Sequence, residues 1–238
     1  MTISFPQFST GSPVDAERAD AAQQIGFSPP TVFPPRRGLY RNSLKRALDV
    51  AVIVMAAPVV LPVIGALAFL VARDGGKAFY TQQRVGKGGK PFRMWKLRSM
   101  VSDADARMEA YLAANPAARA EWDSTQKLKN DPRITRFGRL LRKTSLDELP
   151  QLYNVLIGDM SLVGPRPMML NQQALYPGTA YYALRPGITG YWQTAGRNRT
   201  TFEARAEYDA TYEARLSLWT DTKIMARTVG VVMKATGY

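Results

Sequence analysis

The stretch SLKRALDVAVIVMAAPVVLPVIGALAFLVARDGGK, residues 43–77, decides which folds are open to this chain. Within it, residues 50–72 include no charged side chain. An apolar helix of about 20 residues is long enough to cross the hydrocarbon core of a bilayer. The stretch therefore predicts a helix that enters a membrane.

Two features argue against a simple crossing. Pro58 and Pro62 fall near the middle of the apolar run, where each removes a backbone donor and favours a bend. The run also has basic residues on both sides: Lys45 and Arg46 before it, and Arg73, Lys77, Arg84 and Lys87 after it. A crossing would place one basic group outside, against the positive-inside rule. We therefore predict a re-entrant membrane helix over residues 41–75; a buried core helix and a kinked span are the alternatives.

The regions on either side have different compositions. Residues 1–40 are rich in Pro, Ser and Ala, include SPPTVFPP, and predict a disordered leader. They lack the basic start and apolar run of a secretory signal. Residues 76–238 predict a cytoplasmic, membrane-associated domain of class α+β, in which a β-hairpin is joined to several amphipathic or interfacial helices.

Local patterns in the domain supply these elements. AFYTQQRVGKGGKPFRMWKLRSM predicts two strands around a glycine turn, and no GK[ST] follows that would indicate a phosphate loop. Residues 101–122 predict a surface helix interrupted near Pro116. Residues 185–199 read as a loop, and the chain from Thr201 onward as mostly helical. Its last helix has an apolar face that suits either a membrane surface or the core.

Composition narrows the chemistry. Lys and Arg number 32 against 19 Asp and Glu, a formal charge of +13, so nucleic acid, phospholipid headgroups and phosphorylated substrates are all candidate partners. The chain has no Cys and no His. This excludes a disulfide framework, a thiolate nucleophile, a Ser-His-Asp triad and an ordinary zinc site. A metal, if present, must be a hard cation held by oxygen.

The stretch TSLDELPQLYNVLIGDMSLVGPRP, residues 144–167, places Asp147 beside Glu148 just before a proline. Ser145 and Glu148 match a helix capping box, which is a purely structural explanation. A helix start at Asp147 fits Pro150 better, and either start would put both carboxylates in the positive field of a helix N-terminus. An ionised aspartate is also a nucleophile toward phosphorus, so both readings stay open at this point.

The same stretch ends in Arg166 between two prolines. Proline fixes its own φ and favours an extended conformation in the residue before it. A guanidinium on such a stiff backbone suits bidentate contact with a phosphate.

Several ordered motifs resemble the monotopic phosphoglycosyl transferases, bacterial enzymes that begin glycan assembly on undecaprenyl phosphate. The matching stretches are KRALD at 45–49, QQRVG at 82–86, KLRSM at 96–100, NDPRITRFG at 130–138, SLDELPQLYNVLIGDMSLVGPRP at 145–167, RPGITGYWQ at 185–193 and GRN at 196–198. The resemblance extends from Lys45 to Tyr238. One departure is Ala57-Pro58, where the family often has Ser-Pro at the membrane break formed here by Pro58 and Pro62.

The resemblance implies roles for individual residues. Asp147 matches the family nucleophile, and Glu148 matches the partner acid associated with magnesium. The basic residues expected around the substrate phosphates are Lys96, Arg98, Arg166, Arg185 and Arg197. The resemblance further implies a re-entrant membrane helix and a magnesium requirement, in a catalytic unit that follows a leader.

The function expected from these features is transfer of galactose or glucose 1-phosphate from a UDP-sugar to undecaprenyl phosphate, with release of UMP. It would be the first membrane step of exopolysaccharide biosynthesis, on the cytoplasmic face of the bacterial inner membrane, through a covalent aspartyl phosphosugar. Galactose is preferred to glucose. The expected partners are the two substrates and the phospholipid bilayer; no nucleic acid is expected, and a homo-oligomer is left open. The alternative is a basic, membrane-tethered binding or scaffold protein without catalysis.

Overall fold

A computed structural model describes residues 38–73, 75–125, 128, 130–195, 202 and 204–233. Almost all of the predicted leader, residues 1–40, and the predicted phosphate contact Arg197 lie outside the described residues.

A long apolar helix opens the described chain. A π-helical turn, Tyr40–Leu44, continues into helix α1, Lys45–Ala72. The 33 residues together are long and apolar enough to cross a membrane, judged by length and composition. Helix α1 runs through Pro58 and Pro62 without interruption. The membrane-type helix is thus present, whereas the predicted hairpin-like return is not confirmed.

The rest of the protein holds α1 near its two ends. At the first end, Asp49 accepts a hydrogen bond of 2.6 Å from Ser161 Oγ, and Ile53 is buried in an apolar cluster. At the last turn, Val71 packs against Leu97 in another buried cluster. Between these ends many of the large apolar side chains are exposed, among them Val54, Met55, Val59, Leu61 and Phe69.

The predicted β-hairpin is confirmed. Strand β1, Phe79–Val85, pairs antiparallel with strand β2, Pro91–Leu97. The short 3₁₀ turn Lys87–Gly89 lies between them, with Gly88 at φ 70°, a value that glycine adopts without strain. Residues directly opposite in such a pair share a face, so the pairings Tyr80 with Lys96 and Arg84 with Phe92 put both basic side chains on one face.

Two short helices follow the hairpin and then a third begins with a cap. Helix α2, Ala104–Ala114, and helix α3, Pro116–Thr125, confirm the predicted interruption near Pro116. Helix α4, Arg136–Thr144, starts at Thr135, whose side chain accepts a hydrogen bond from the backbone N–H of Gly138.

The predicted helix start around Asp147 is wrong in both of its forms. Ser145 adopts a left-handed conformation, φ 58°, and its side chain makes no capping bond. Leu146–Glu148 form a 3₁₀ turn, and helix α5, Gln151–Ile157, begins only after Pro150 as its N-cap. A proline there loses no intrahelical hydrogen bond, which explains why the helix starts late.

Helix α5 ends as predicted at Gly158, φ 95°. Strand β3, Ser161–Val163, then pairs in parallel with strand β4, Gly187–Thr189. This pairing corrects part of the predicted loop at 185–199, because strand β4 and helix α7, Tyr191–Ala195, occupy its first half.

The remaining elements enclose the parallel pair. They are a 3₁₀ segment, Leu170–Leu175, helix α6, Ala180–Ala183, helix α8, Arg205–Ala214, and helix α9, Leu218–Met233. Helix α9 buries Ile224 in the core, while Trp219 stays 66% exposed. It therefore closes the core with one face and leaves an aromatic side chain outside.

Candidate active site

Lys96 of β2 joins the two consecutive carboxylates. Its Nζ lies 2.9 Å from Glu148 Oε1 and 3.9 Å from Asp147 Oδ2. Asp147 is buried and Lys96 is largely so. The 3₁₀ turn before α5 therefore presents both acids to one cation on the hairpin face.

Burial and the neighbouring charges act on the protonation of this group in opposite directions. Burial raises the pKa of Asp147; the positive charge of Lys96 opposes this, and the charge of Glu148 adds to it. For Lys96, burial acts to lower the pKa, but Glu148 leads the interactions that raise it, and the net shift is upward. Lys96 is therefore cationic at neutral pH and favours the ionised form of the buried Asp147.

A fully buried amide aligns the two elements that carry this group. Asn154 of α5 accepts a hydrogen bond of 2.9 Å from the backbone N–H of Trp95. Its Nδ2 donates to the carbonyl of Arg93 at 2.7 Å. Asn154 thereby ties the helix after Asp147 to the strand that carries Lys96, and it sets their register.

Two arginines complete the cleft on its other side. Arg84, Lys96, Glu148 and Arg166 line one small cleft together with Met94, Gln151, Pro167, Gly187 and Ile188. Arg166 is exposed, and its Cζ lies 5.7 Å from the ring centre of Trp192. Within the described part of the chain, no carboxylate lies within 4.0 Å of the guanidinium of Arg84 or Arg166.

The structure brings together only some of the predicted basic residues. Lys96 and Arg166 line the cleft together with Glu148. Arg98 instead donates to the carbonyls of Lys77 and Val71, at the far end of α1. Arg185 donates to the carbonyl of Gly158, at the end of α5. Phosphate contact by these last two arginines stays a prediction.

Arg84, which lies in the motif QQRVG, was not among the site residues predicted from the sequence. The signal was the strand period of two. Arg84 and Lys96 share a face once the hairpin is paired in its observed register, and both line the cleft with Glu148. The register depends on the turn, so the sequence pattern alone left this residue unassigned.

The two acids bear on the predicted magnesium site through their number and arrangement. Across the described ranges, no group of three or more His, Cys, Asp or Glu residues could hold a metal by itself. Magnesium in phosphate-handling proteins often uses one or two carboxylates and takes further ligands from substrate phosphates and water. Glu148, the predicted ligand, fits a site of that shared kind.

The arrangement has a clear chemical capacity. A buried carboxylate can act as a nucleophile when a neighbouring lysine favours its ionised form, and arginines without carboxylate partners attract anionic oxygens. The cleft is thus suited to attack on a phosphorus atom of a phosphorylated substrate.

Comparison with known proteins agrees with this capacity. The family described as bacterial sugar transferase matches residues 40–235. The undecaprenyl-phosphate galactose phosphotransferase of Salmonella typhimurium is 47% identical over 196 residues, which are 82% of this chain and 41% of the relative. The exopolysaccharide production protein ExoY of Rhizobium meliloti is 40% identical over 220 residues, 88% of this chain and 96% of the relative.

A third relative carries a different sugar in its name. The UDP-glucose:undecaprenyl-phosphate glucose-1-phosphate transferase of Escherichia coli is 38% identical over 220 residues, 87% of this chain and 44% of the relative. The chain thus spans about two fifths of the length of several relatives and nearly the whole of the ExoY protein.

Proposed function

The chain belongs to the bacterial sugar transferase family, and we propose that it transfers a sugar 1-phosphate from a UDP-sugar to undecaprenyl phosphate and releases UMP. The observation that carries the proposal is the acid pair Asp147 and Glu148 beside Lys96. Lys96 and Glu148 line a cleft with two arginines that have no carboxylate partner among the described residues. The names of the relatives supply the acceptor and the two candidate sugars. We propose galactose as the sugar ahead of glucose. The transfer would be the first membrane step of exopolysaccharide assembly.

The reaction proceeds in two displacements at one phosphorus atom. An oxygen of Asp147 bonds to the sugar-bearing phosphorus, and the bond from that phosphorus to the bridging oxygen breaks, so the electron pair leaves with UMP. An oxygen of undecaprenyl phosphate then attacks the same phosphorus, and the acyl phosphate bond breaks to restore the carboxylate. Lys96 opposes the burial that raises the pKa of Asp147 and so favours its ionised, attacking form, and Arg166 binds phosphate oxygens.

Magnesium is proposed as the cofactor, with Glu148 as its ligand. A bound divalent cation supplies neutralisation of phosphate charge. Glu148→Gln removes the ligand's charge, so the magnesium concentration for half-maximal rate should rise several-fold. A rate independent of magnesium in the unaltered protein would remove the metal from the proposal.

The decisive assay combines the purified protein, UDP-galactose or UDP-glucose, and undecaprenyl phosphate in detergent or bilayers. Release of UMP is expected, whereas UDP would indicate ordinary glycosyl transfer. With the donor alone, about one UMP per active site should appear, and intact mass should rise by one phosphosugar on the peptide containing Asp147. An absence of any nucleotide release would favour the scaffold alternative.

Helix α1 is proposed to be re-entrant, with both ends at the cytoplasmic face of the inner membrane. Contacts near both ends support this: Asp49 bonds Ser161, and Val71 packs on Leu97, so the same globular part touches both ends of the helix. A straight crossing separates its ends by a hydrocarbon layer of about 30 Å, which a domain on one side does not bridge.

Because the chain has no cysteine, single cysteines report this topology cleanly. Ser43→Cys and Arg73→Cys are suitable positions, since both residues are exposed; a side chain at Gly76 would collide with Arg98. In intact cells, neither cysteine should react with a membrane-impermeant thiol reagent until the membrane is permeabilised. Labelling of only one before opening would establish a span.

A further inference from the structure

Arg84 is buried in the cleft without an ion-pair partner among the described residues. Only 8% of its surface is exposed, and its two terminal nitrogens donate to Gln82 Oε1 at 2.5 Å and the carbonyl of Gln83 at 3.1 Å. Both acceptors are uncharged, and no described carboxylate lies within 4.0 Å of its guanidinium. A buried charge without an ion pair is costly for the folded protein, so its presence in a cleft indicates a ligand.

Hydrogen bonds of Tyr181 join the backbone segment that contains Arg84 to the one that contains Arg166. The backbone N–H of Val85 donates to the carbonyl of Met168 at 3.0 Å. The hydroxyl of Tyr181 donates to the carbonyl of Val85 at 2.5 Å and accepts from the N–H of Met168 at 3.3 Å. Val85 follows Arg84 directly and Met168 lies two residues after Arg166, so these three bonds fix the backbone positions of the two arginines.

Burial and the positive charge of Arg166 both affect the pKa of Arg84. Burial lowers the pKa of Arg84 to about 10, and the positive charge of Arg166 acts in the same direction. Arg84 is still cationic at neutral pH. Two cations held in one cleft by the backbone repel each other until an anion bridges them, and the anion best matched to two guanidiniums carries at least two charges.

We propose that Arg84 is a substrate-binding residue that forms, with Arg166, a two-guanidinium clamp for the diphosphate of a nucleoside diphosphate donor. Tyr181 is a positioning residue for this clamp. The identity of the donor rests on the proposed function, whereas the requirement for a polyanion follows from the arginine pair. Lys96, on the same face of the hairpin as Arg84, places the carboxylates next to the bound phosphates.

The test measures binding of UDP and of uridine to the detergent-solubilised full chain by calorimetry. Arg84→Gln should weaken UDP binding about 10- to 100-fold, the range for losing one charge-assisted contact, and leave uridine binding unchanged. Tyr181→Phe should weaken UDP binding by a smaller factor. Arg93→Gln is the matched control, because Arg93 is an exposed arginine of the same hairpin, and it should bind UDP as the unaltered protein does.

Two outcomes would overturn the clamp: UDP binding of Arg84→Gln equal to that of the control, or an equal loss of UDP and uridine binding, which indicates general damage to the fold. Arg84→Lys provides a second check, since it keeps the charge and loses the planar fork; it should recover part of the UDP affinity. If the unaltered protein binds UDP through Arg84 but transfers no sugar phosphate, the clamp stands and the proposed function fails.

Discussion

The arginines of the cleft and the arginines at the ends of the membrane helix are used in opposite ways. Arg84 and Arg166 line the cleft beside Lys96 and Glu148, and in the described part of the protein no carboxylate lies within 4.0 Å of either guanidinium. Arg46 donates to the carbonyls of Val155 and Leu156, and Arg98 donates to that of Val71. We assign the first two arginines to a ligand. The second two donate hydrogen bonds to backbone carbonyls at the C-terminal ends of helices.

The comparison shows that the same residue type gains its role from what lies within reach of its guanidinium. Carbonyls at a helix C-terminus lack intrahelical donors, and an arginine beside them binds the protein itself. Where nearby carboxylates are already paired with a lysine, the N–H donors of an arginine can bind a substrate. Substitutions in the cleft should therefore change catalysis, and substitutions at the helix ends should change stability.

The largest effect is expected for Asp147→Asn. The amide cannot form an acyl phosphate, so turnover should fall about 10³-fold or more, while the protein still inserts and folds. If Asp147 were only part of a turn, the loss would be small. Release of UMP and the melting temperature, measured on the same preparation, separate these outcomes. Asp105→Asn, on the exposed face of α2, is the control.

Arg166→Lys is expected to have the next largest effect. Lysine keeps the charge but loses the bidentate fork, so kcat/KM for the donor should fall about 10- to 100-fold with an unchanged melting temperature. Near-normal kcat/KM would place Arg166 among the arginines with a structural role and contradict its assignment to the substrate. Arg139→Lys, an exposed arginine of α4, serves as the control.

Lys96→Met tests the electrostatic link between the lysine and the nucleophile. Lys96 opposes the burial that raises the pKa of Asp147, so its removal should raise that pKa further. Because the ionised carboxylate attacks, the acid limb of the pH–rate profile should move to higher pH, in addition to a loss of rate. An unshifted limb would mean that Arg142 and the remaining surroundings hold Asp147 ionised without the lysine.

A stability effect without a donor effect is expected for Arg46→Met. Losing its bonds to the last carbonyls of α5 should lower the free energy of unfolding by about 1.5 to 3 kcal/mol. The KM for the donor should stay within about twofold, since Arg46 lies outside the cleft. A raised KM with normal stability would contradict this assignment. Arg73→Met, at the exposed end of α1, is the control.

The smallest effect concerns Asp209, a buried acid away from the carboxylate pair. Its pKa is raised to about 6 by burial, against the bond of 2.9 Å from Tyr176. A folded-state pKa above the unfolded value makes stability fall as pH rises from about 4 to about 6. Asp209→Asn, which keeps an acceptor for Tyr176, should flatten this part of the melting curve against pH. An unchanged slope would assign the pH dependence to other groups.

Much of the architecture could be predicted from local patterns. The uncharged residues 50–72 predict a membrane-type helix by length alone, and Gly158 marks the end of α5 because it tolerates positive φ. The β-hairpin follows from its alternating side chains and its glycine turn. The 3₁₀ turn at Leu146–Glu148 was missed because Ser145 adopts a left-handed conformation that serine seldom takes.

The residues of the candidate site likewise include some that the sequence predicts and some that only the structure identifies. The neighbours Asp147 and Glu148 and the proline-flanked Arg166 stand out in the sequence, since each is defined by residues next to it. Lys96 is assigned by family resemblance, and its place between the acids comes from Asn154, which joins α5 to β2. Arg84 enters the site only through the pairing of the hairpin and the bonds of Tyr181.

The sequence by itself determined what is local: the apolar helix, the hairpin, the consecutive acids and the absence of histidine and cysteine chemistry. Each of these features depends on residues that are close together in the sequence. Their conformational preferences do not require the tertiary structure. The tertiary structure alone decided which cations meet those acids. Lys96 and Glu148 are 52 residues apart, and Arg84 and Arg166 are farther still. Contacts across such distances depend on strand register and helix docking, which no local pattern encodes.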